Sequence, residues 1–221
     1  MDGFKVLEVK QSVFASNERE ADEVRRALKE KGVFLLNLMS SPGSGKTTTL
    51  TRTIELLKDE LRIGVMEADI DSDVDARTIS RAGVKVIQLH TGGMCHLDAA
   101  MTRQGLDGLG DDDVDLAVLE NVGNLVCPTD FDLGENAKVM ILSVPEGDDK
   151  PLKYPGVFQV AEAVVLNKVD TMPVFDFDRA AFEEAVHQLN PRAPIFPIAA
   201  TKGDGVEAWA EWLAERIRAI Q

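Results

Sequence analysis

The chain has 221 residues and carries 38 acidic side chains against 24 basic ones, so its formal net charge is −14 at pH 7. A surface with this charge repels phosphodiester backbones, and we therefore expect no nucleic-acid partner. No apolar run is long enough to cross a bilayer, and the first residues lack the apolar core of a signal peptide. We accordingly expect a cytoplasmic protein with no membrane partner.

The length suits one α/β domain, and we predict a single domain over 1–221 with an N-terminal extension at about 1–32. Apolar segments alternate with amphipathic ones, which predicts a three-layer α/β/α fold around a mostly parallel sheet of about seven strands. Strands are expected at about 33–39, 62–67, 84–89, 115–120, 138–143, 163–167 and 194–198, and helices near 17–31, 46–60, 75–82, 95–106, 178–189 and 205–219. The first helix is expected to begin at Asn17, whose side chain could cap it.

The segment 40–47, hereafter the phosphate loop, has the sequence Ser-Ser-Pro-Gly-Ser-Gly-Lys-Thr and lies between a predicted strand and a predicted helix. This order is typical of a P-loop NTPase, in which backbone N–H groups surround the β-phosphate, Lys46 reaches the phosphate oxygens and Thr47 ligates Mg²⁺. The motif prefers glycine where Ser40 stands, and the alternative is a glycine-rich turn without a ligand. The expected nucleotide contacts here are Gly43, Ser44, Gly45, Lys46, Thr47 and Thr48.

The segment 167–170, Asn-Lys-Val-Asp, follows a predicted strand and has the guanine-binding pattern N-K-x-D. A carboxylate at Asp170 can accept hydrogen bonds from N1–H and the amino group of guanine, whereas adenine would leave a buried charge unpaired. Asn167 would hold the loop, and Lys168 would lie along the base. Where the predicted strand 194–198 ends, a backbone N–H could meet the guanine carbonyl oxygen, and the expected contacts are Ala200, Thr201 and Lys202. The expected ligand is therefore GTP or GDP.

Two segments between these motifs are expected to sense the γ-phosphate. Glu120 follows a predicted strand and takes the place of the usual aspartate that holds Mg²⁺, and Gly123 would present its N–H to the γ-phosphate. Upstream, Asp69 and Asp75 bound an acidic segment that could form a first switch; the alternative is a solvated acidic loop. The predicted Mg²⁺ ligands are Thr47, Asp75 and Glu120. No arginine or glutamine is obviously placed to stabilise the transition state, so slow GTP hydrolysis is expected.

A second metal site is predicted from the few cysteines and histidines of the chain. Cys95 and His96 are adjacent, and Cys127 follows the predicted strand that ends at about residue 120. Parallel and neighbouring strands would bring both loops to the same edge of the sheet as the phosphates. There thiolate and imidazole could bind Zn²⁺ or Ni²⁺, with a fourth ligand from water or a second chain. The alternatives are inert thiols or a Cys95–Cys127 disulfide. We expect His90 and His187 to be ordinary residues.

These motifs together resemble the HypB family, whose members are GTPases that help to insert nickel into the large subunit of nickel–iron hydrogenase. The resemblance covers nearly the whole chain and rests on four segments, 40–47, His90–His96, Glu120–Pro128 and 167–170. It implies a nucleotide-dependent homodimer whose interface carries the metal site. It also implies two partners, a small zinc-containing nickel-delivery protein and the hydrogenase large-subunit precursor. The chain departs from some relatives because Met1–Arg26 contains neither a cysteine motif nor a histidine-rich stretch.

Other functions fit parts of the same pattern. A related GTPase could serve urease or a cobalamin-dependent enzyme, and a nucleotide-bound metal buffer would need no turnover. An ATP-driven partitioning protein is disfavoured by Asn167 and Asp170. After the fifth predicted strand, Lys150 or Lys153 could reach a facing subunit near the nucleotide; the alternative is that both lysines are simply exposed.

Overall fold

Seven parallel strands form one sheet in the computed structural model, which describes residues 9–69 and 74–220. The spatial order of the strands is β3-β2-β4-β1-β5-β6-β7. Their bounds are β1 Phe34–Ser40, β2 Ile63–Asp69, β3 Lys85–His90, β4 Leu116–Glu120, β5 Ala137–Ser143, β6 Ala163–Asn167 and β7 Ile195–Pro197. The predicted α/β/α fold is confirmed.

Helices cover both faces of this sheet. They are α1 Val9–Lys31, α2 Lys46–Leu57, α3 Val74–Ser80, α4 Ala99–Leu109, α5 Lys150–Lys153, α6 Pro155–Val160, α7 Arg179–Leu189 and α8 Val206–Arg218. Short 3₁₀ segments lie at Asp111–Asp113, Cys127–Thr129, Val144–Glu146 and Val169–Val174. Within the described ranges, no helix combines the length and the apolar content needed to cross a bilayer.

Two predicted helix starts are wrong. Helix α1 begins at Val9, so Asn17 lies inside the helix and cannot cap it. Helix α4 begins at Ala99 rather than at 95, because the Asp98 carboxylate accepts a hydrogen bond from the Met101 N–H and caps the helix there. Cys95 and His96 therefore lie in the loop before α4. The short helices α5 and α6 were not predicted.

The five inner strands β1, β2, β4, β5 and β6 are buried on both faces, as expected for a parallel sheet between helical layers, whereas the edge strands β3 and β7 are partly exposed. On one face of the sheet, alternate strand residues pack against α2, α3 and α8. The others pack against α1 and α4, or against α6 and α7. In α8 the core face consists of residues that recur at helical spacing and are all buried, namely Val206, Trp209, Leu213 and Ile217. The Trp209 indole N–H donates to the Thr53 hydroxyl over 2.9 Å, which joins α8 to α2.

We expect Gly134→Ala to destabilise the fold more than Gly203→Ala does. Both glycines have positive φ, +80° at Gly134 and +87° at Gly203, so alanine is strained at each by about 1–2 kcal/mol. An added Cβ at Gly134 would lie 2.7 Å from the Ala21 carbonyl oxygen and from the Val24 Cβ of α1, whereas the Gly203 site is open. The contact adds about 1–3 kcal/mol at Gly134. Urea denaturation measures the difference, and equal losses would contradict the close packing of α1 on Gly134.

Candidate nucleotide and metal site

The phosphate loop connects the end of β1 to the start of α2. Gly45 precedes the helix with φ of +92°, and a side chain there would collide with the Asn167 amide. Ser40 is buried at the end of β1; Lys168 is the only non-glycine residue of positive φ in the described ranges, so Ser40 follows an ordinary backbone path. A cavity of about 470 Å³ opens here, lined by Pro42, Gly43, Ser44, Gly45, Lys46, Thr47, Thr48, Asp69, Asp75, Val122 and Gly123. The backbone N–H groups at the start of α2 make this end of the cavity favourable for phosphate.

Glu120, at the end of β4, contacts the phosphate loop directly. The Thr47 hydroxyl donates to Glu120 Oε1 over 2.8 Å, and Glu120 Oε2, also buried, has no hydrogen-bond partner. Burial raises the pKa of this carboxyl, and the nearby Lys46 charge and the Thr47 hydroxyl partly offset that effect. A buried carboxylate with an unused oxygen beside a threonine hydroxyl fits the oxygen ligand set that Mg²⁺ prefers. Asp75 lines the same cavity.

The two predicted switch segments also reach this cavity. At Gly123, an added Cβ would lie 2.9 Å from Pro42 Cγ, so only glycine allows this segment to pass so close to the phosphate loop. The Asp69 carbonyl accepts a hydrogen bond from the Thr91 N–H over 3.1 Å, which joins the first switch to the loop after β3. The remaining residues of the predicted acidic cluster, 70–73, lie outside the described residues.

Asn167, at the end of β6, joins the phosphate loop to the two loops expected to contact guanine, which follow β6 and β7. Its side-chain N–H donates to the Ser44 carbonyl over 3.0 Å, and its Oδ1 accepts from the Ala200 N–H over 3.1 Å. Lys168 Nζ donates to the Gly43 carbonyl over 2.7 Å. These hydrogen bonds hold the two loops that are expected to contact guanine against the phosphate loop.

Asp170 retains an accessible carboxylate. Its side chain is 22% exposed and pairs with Lys202 Nζ at 3.1 Å. Arg52 of α2 donates to the carbonyl oxygens of Ala200 and Thr201 over 3.2 and 3.4 Å, which fixes the loop after β7. The sequence analysis missed Arg52, because nothing local distinguishes it from an exposed helical arginine.

The predicted metal ligands lie together within one protomer. Cys95 Sγ is 3.1 Å from Cys127 Sγ and 3.7 Å from His96 Nδ1, and one ligand atom from each of the three residues falls within 4.8 Å of the others. Both cysteines are free thiols rather than a disulfide. A hydrogen bond with the Cys127 sulfur raises the pKa of the Cys95 thiol, and burial and the Cys127 charge add to this. Thiol and imidazole donors at these distances suit Ni²⁺ or Zn²⁺.

Second contacts orient these ligands. The His96 ring stacks on Phe131, with ring centroids 4.0 Å apart and an interplanar angle of 19°. Asn124 lies between Glu120 and Cys127 in the chain; its side-chain N–H donates to the Cys95 carbonyl over 3.1 Å. The two loops that carry the predicted metal ligands are therefore joined to each other. The segment 120–127 also connects them to Glu120, which contacts the phosphate loop. His90 and His187 are both exposed and outside the cluster.

A series of hydrogen-bonded, buried polar side chains crosses the core beneath the segment 120–123, the second segment expected to sense the γ-phosphate. The Asn121 side-chain N–H donates to Asn37 Oδ1 over 3.2 Å, and the Asn37 side-chain N–H donates to Glu135 Oε1 over 3.2 Å. Glu135 Oε2 accepts from the Leu133 N–H over 2.7 Å. This series connects the segment after β4 to the end of the Cys127 loop. The sequence offered one signal for it, an asparagine at 37 within an otherwise apolar strand.

The lysines considered for dimer contacts pair within the protomer. Lys153 forms an ion pair with Asp149, and Lys150 Nζ lies 5.5 Å from the centre of the Tyr154 ring. Close by, Glu146 accepts hydrogen bonds from the Ser143 N–H and hydroxyl, each over 2.7 Å, and from the Ser41 hydroxyl. Glu146 thereby supports the phosphate loop, a role that the sequence analysis did not identify.

Fold and site together define a GTPase of the P-loop class, in which a cluster of two thiols and an imidazole lies at the same edge of the sheet as the nucleotide cavity. The family model described as "CobW/HypB/UreG, nucleotide-binding domain" matches residues 34–197. Within this class the chain belongs to the HypB family. It is 44% identical over 209 residues to the hydrogenase maturation factor HypB of Rhizobium leguminosarum bv. viciae, covering 95% of this chain and 70% of that protein.

Two further relatives are similar over a larger share of their own length. The hydrogenase/urease maturation factor HypB of Helicobacter pylori is 37% identical over 218 residues, covering 97% of this chain and 89% of that protein. A crystal structure of HypB from Helicobacter pylori in complex with nickel superposes with a TM-score of 0.87 at 39% identity, covering 92% of this chain and 96% of that chain. Fold and sequence similarity therefore extend well beyond the phosphate loop.

A second buried carboxylate lies beside Glu120 and was missed by the sequence analysis. Glu67 of β2 is opposite Glu120 in β4 and Gln88 in β3, is only 3% exposed, and has one oxygen without a partner. Burial raises the pKa of Glu67 to about 7; a hydrogen bond from Gln88 opposes this, while the charges of Glu120, Asp69 and Asp75 add to it. A glutamate in the otherwise apolar run 63–68 was the signal for it.

In the absence of Mg²⁺ and nucleotide, we expect the Glu67→Gln variant to be more stable than the wild type, by an amount that grows as the pH rises. The pKa of Glu67 is about 7 in the folded chain against 4.5 for the ordinary group, so unfolding between these values releases a proton and the free energy of unfolding falls with pH. Glutamine does not titrate, so the variant avoids this loss. Its free energy of unfolding should exceed that of the wild type by about 3 kcal/mol above pH 7 and by little near pH 5. Urea denaturation at several pH values measures it, with the exposed Glu60→Gln as control. Parallel curves for Glu67→Gln and wild type would contradict the assignment.

Proposed function

We propose that this chain is a GTP-hydrolysing metallochaperone that binds nickel and helps to insert it into the large subunit of nickel–iron hydrogenase. One observation carries the proposal: the ligand atoms of Cys95, His96 and Cys127 fall within 4.8 Å of one another, and the segment that leads to Cys127 lines the nucleotide cavity at Val122 and Gly123. The HypB relatives are described as hydrogenase maturation factors, and the Helicobacter pylori structure is described as a complex with nickel.

The nucleotide half of the mechanism follows from the cavity. Lys46 would contact the phosphate oxygens, and Thr47, Asp75 and Glu120 would hold Mg²⁺, with Asp69 and Gly123 facing the γ-phosphate. Mg²⁺, when bound, neutralises charge on the transferred phosphoryl group. Of the described residues that line the cavity, none is an arginine or a glutamine that could stabilise the transition state or orient water. This supports slow intrinsic hydrolysis of GTP to GDP and phosphate.

The metal half of the mechanism treats Ni²⁺ or Zn²⁺ as cargo. Binding requires Cys95 and Cys127 to lose their protons, so affinity should fall as the pH is lowered. Three ligands from one protomer leave a position for water, for a second copy of the chain, or for an acceptor protein. Met94 and Val126, which neighbour the two cysteines, are 39% and 55% exposed and would be covered in such a contact.

The proposed assembly is a nucleotide-dependent homodimer with the metal at its interface, built from a single domain over 1–221. Its proposed partners are a small zinc-containing nickel-delivery protein and the hydrogenase large-subunit precursor. A second client is favoured by one relative, because the Helicobacter pylori protein is described as a hydrogenase/urease maturation factor. A nucleotide-bound metal buffer remains the alternative without turnover.

We expect Ni²⁺ to bind about tenfold more tightly when a non-hydrolysable GTP analogue replaces GDP, because an ordered segment 120–127 would preorganise the cluster that it adjoins. Linkage requires the metal to strengthen binding of the analogue by the same factor. Calorimetric titration of both forms measures the effect, and Cys127→Ala should lose nickel binding in each form. Identical affinity and stoichiometry in the two wild-type forms would defeat the coupling.

We expect Asp170→Asn to replace GTP hydrolysis by XTP hydrolysis. Asparagine keeps an acceptor for N1–H but offers a donor in place of the second acceptor, and this donor matches the C2 carbonyl of xanthine rather than the guanine amine. The preference for GTP over XTP should therefore change by about 100-fold or more in favour of XTP. Phosphate release with each nucleotide measures the change, and Asp176→Asn, outside the N-K-x-D segment, is the control. Unchanged preference would contradict the base assignment and the GTPase proposal.

A further inference from the structure

One side chain of α1 touches both loops that carry the predicted metal ligands. Asn17 is 8% exposed, and its side-chain N–H donates to the Asp132 carbonyl over 2.7 Å. Its Oδ1 accepts a hydrogen bond from the Ala99 N–H over 2.9 Å. Ala99 is three residues beyond His96, and Asp132 is five residues beyond Cys127. Asn17 therefore bridges the two ligand loops from inside the protein.

The chemistry of this bridge requires an amide. The Ala99 N–H is the first of the helix α4, so no carbonyl within α4 can accept it. The Asp132 carbonyl needs a donor, and only an amide side chain of this length supplies a donor and an acceptor at opposite ends. A buried backbone group left without its partner costs about 1–3 kcal/mol, so removal of the amide would favour separation of the loops.

Neighbouring contacts of α1 reinforce the same arrangement. Phe14 packs on Phe131 with ring centroids 5.2 Å apart, and Phe131 in turn stacks on His96. Arg25 forms an ion pair with the Asp132 carboxylate at 2.7 Å. These contacts hold the Cys127 loop against α1, whereas Asn17 also holds the start of α4. On the exposed side, the hydrogen bond from Asn124 to the Cys95 carbonyl is a further contact between the loops.

We propose that Asn17 is a positioning residue of the metal site, which fixes the spacing between the Cys95–His96 loop and Cys127 and thereby sets affinity for a thiophilic divalent cation. This inference rests on the proposed metal binding. The physical reason is preorganisation: ligands held at their binding distances lose less conformational freedom when the metal binds.

The test is titration of the full GDP-bound chain with Ni²⁺, followed by the thiolate-to-nickel charge-transfer absorption. Asn17→Ala should weaken binding about tenfold or more and change the shape of the band, with unchanged affinity for GDP. Thr53→Ala is the matched control. Thr53 is also buried, donates one hydrogen bond to the Thr49 carbonyl and accepts one from Trp209, but it lies on the opposite face of the sheet. Its variant should keep the nickel affinity and band of the wild type.

A second variant separates the two halves of the bridge. Asn17→Asp keeps an acceptor for the Ala99 N–H but has no donor for the Asp132 carbonyl, so it should also bind Ni²⁺ less tightly than wild type. Wild-type affinity in Asn17→Asp would overturn the bridging role. Wild-type affinity and spectrum in Asn17→Ala would overturn the inference while leaving the proposed function intact.

Two other results would also be decisive. Loss of GDP binding together with nickel binding in both Asn17 variants would make Asn17 a general structural residue and overturn the positioning role. Failure of the wild-type chain to bind Ni²⁺ would remove the proposed function, and this inference with it.

Discussion

The adjacency of β2, β4 and β1 in a parallel sheet is the constraint on which the rest of the site depends. Because the three strands run in one direction, their carboxyl ends meet at one edge, where the phosphate loop and both switch segments begin. The contact between Thr47 and Glu120 spans β1 and β4 at this edge. The two loops with the predicted metal ligands leave the ends of β3 and β4, which flank β2, so these ligands lie at the same edge of the sheet as the nucleotide cavity.

Alternation of side chains along these strands separates two kinds of polar group. Glu67 and Glu120 point toward α2 and α3, where burial is the main cause of the raised pKa of both carboxyls and nearby acidic groups add to it. Asn37 and Asn121 point to the opposite face, where they join Glu135 beneath the Cys127 loop. Burial without partners would be costly on either face. The first pair fits a divalent cation, and the second group is satisfied within the protein.

The metal cluster depends on α1 as well as on the sheet. Each ligand loop follows the end of a strand, and parallel strands alone do not set the distance between two such loops. The buried Asn17 amide and the packing of Phe14 on Phe131 supply contacts that do. The N-terminal helix therefore bears on the metal chemistry of the proposed function, although it contributes none of the predicted ligands.

The sequence by itself determined the seven strands, the phosphate loop and the base loop, because local order and hydrophobic pattern carry that information. It indicated Cys95, His96 and Cys127 as one candidate cluster through their scarcity. Only the tertiary structure decided how Asn17 is used: its type suggested a cap for its own helix, whereas the fold places it against Ala99 of another helix. A glutamate within the apolar run 63–68 indicated that Glu67 is unusual, but only the fold places it opposite Glu120. Hydrogen bonds and burial between residues far apart in the chain leave no periodic trace in the sequence.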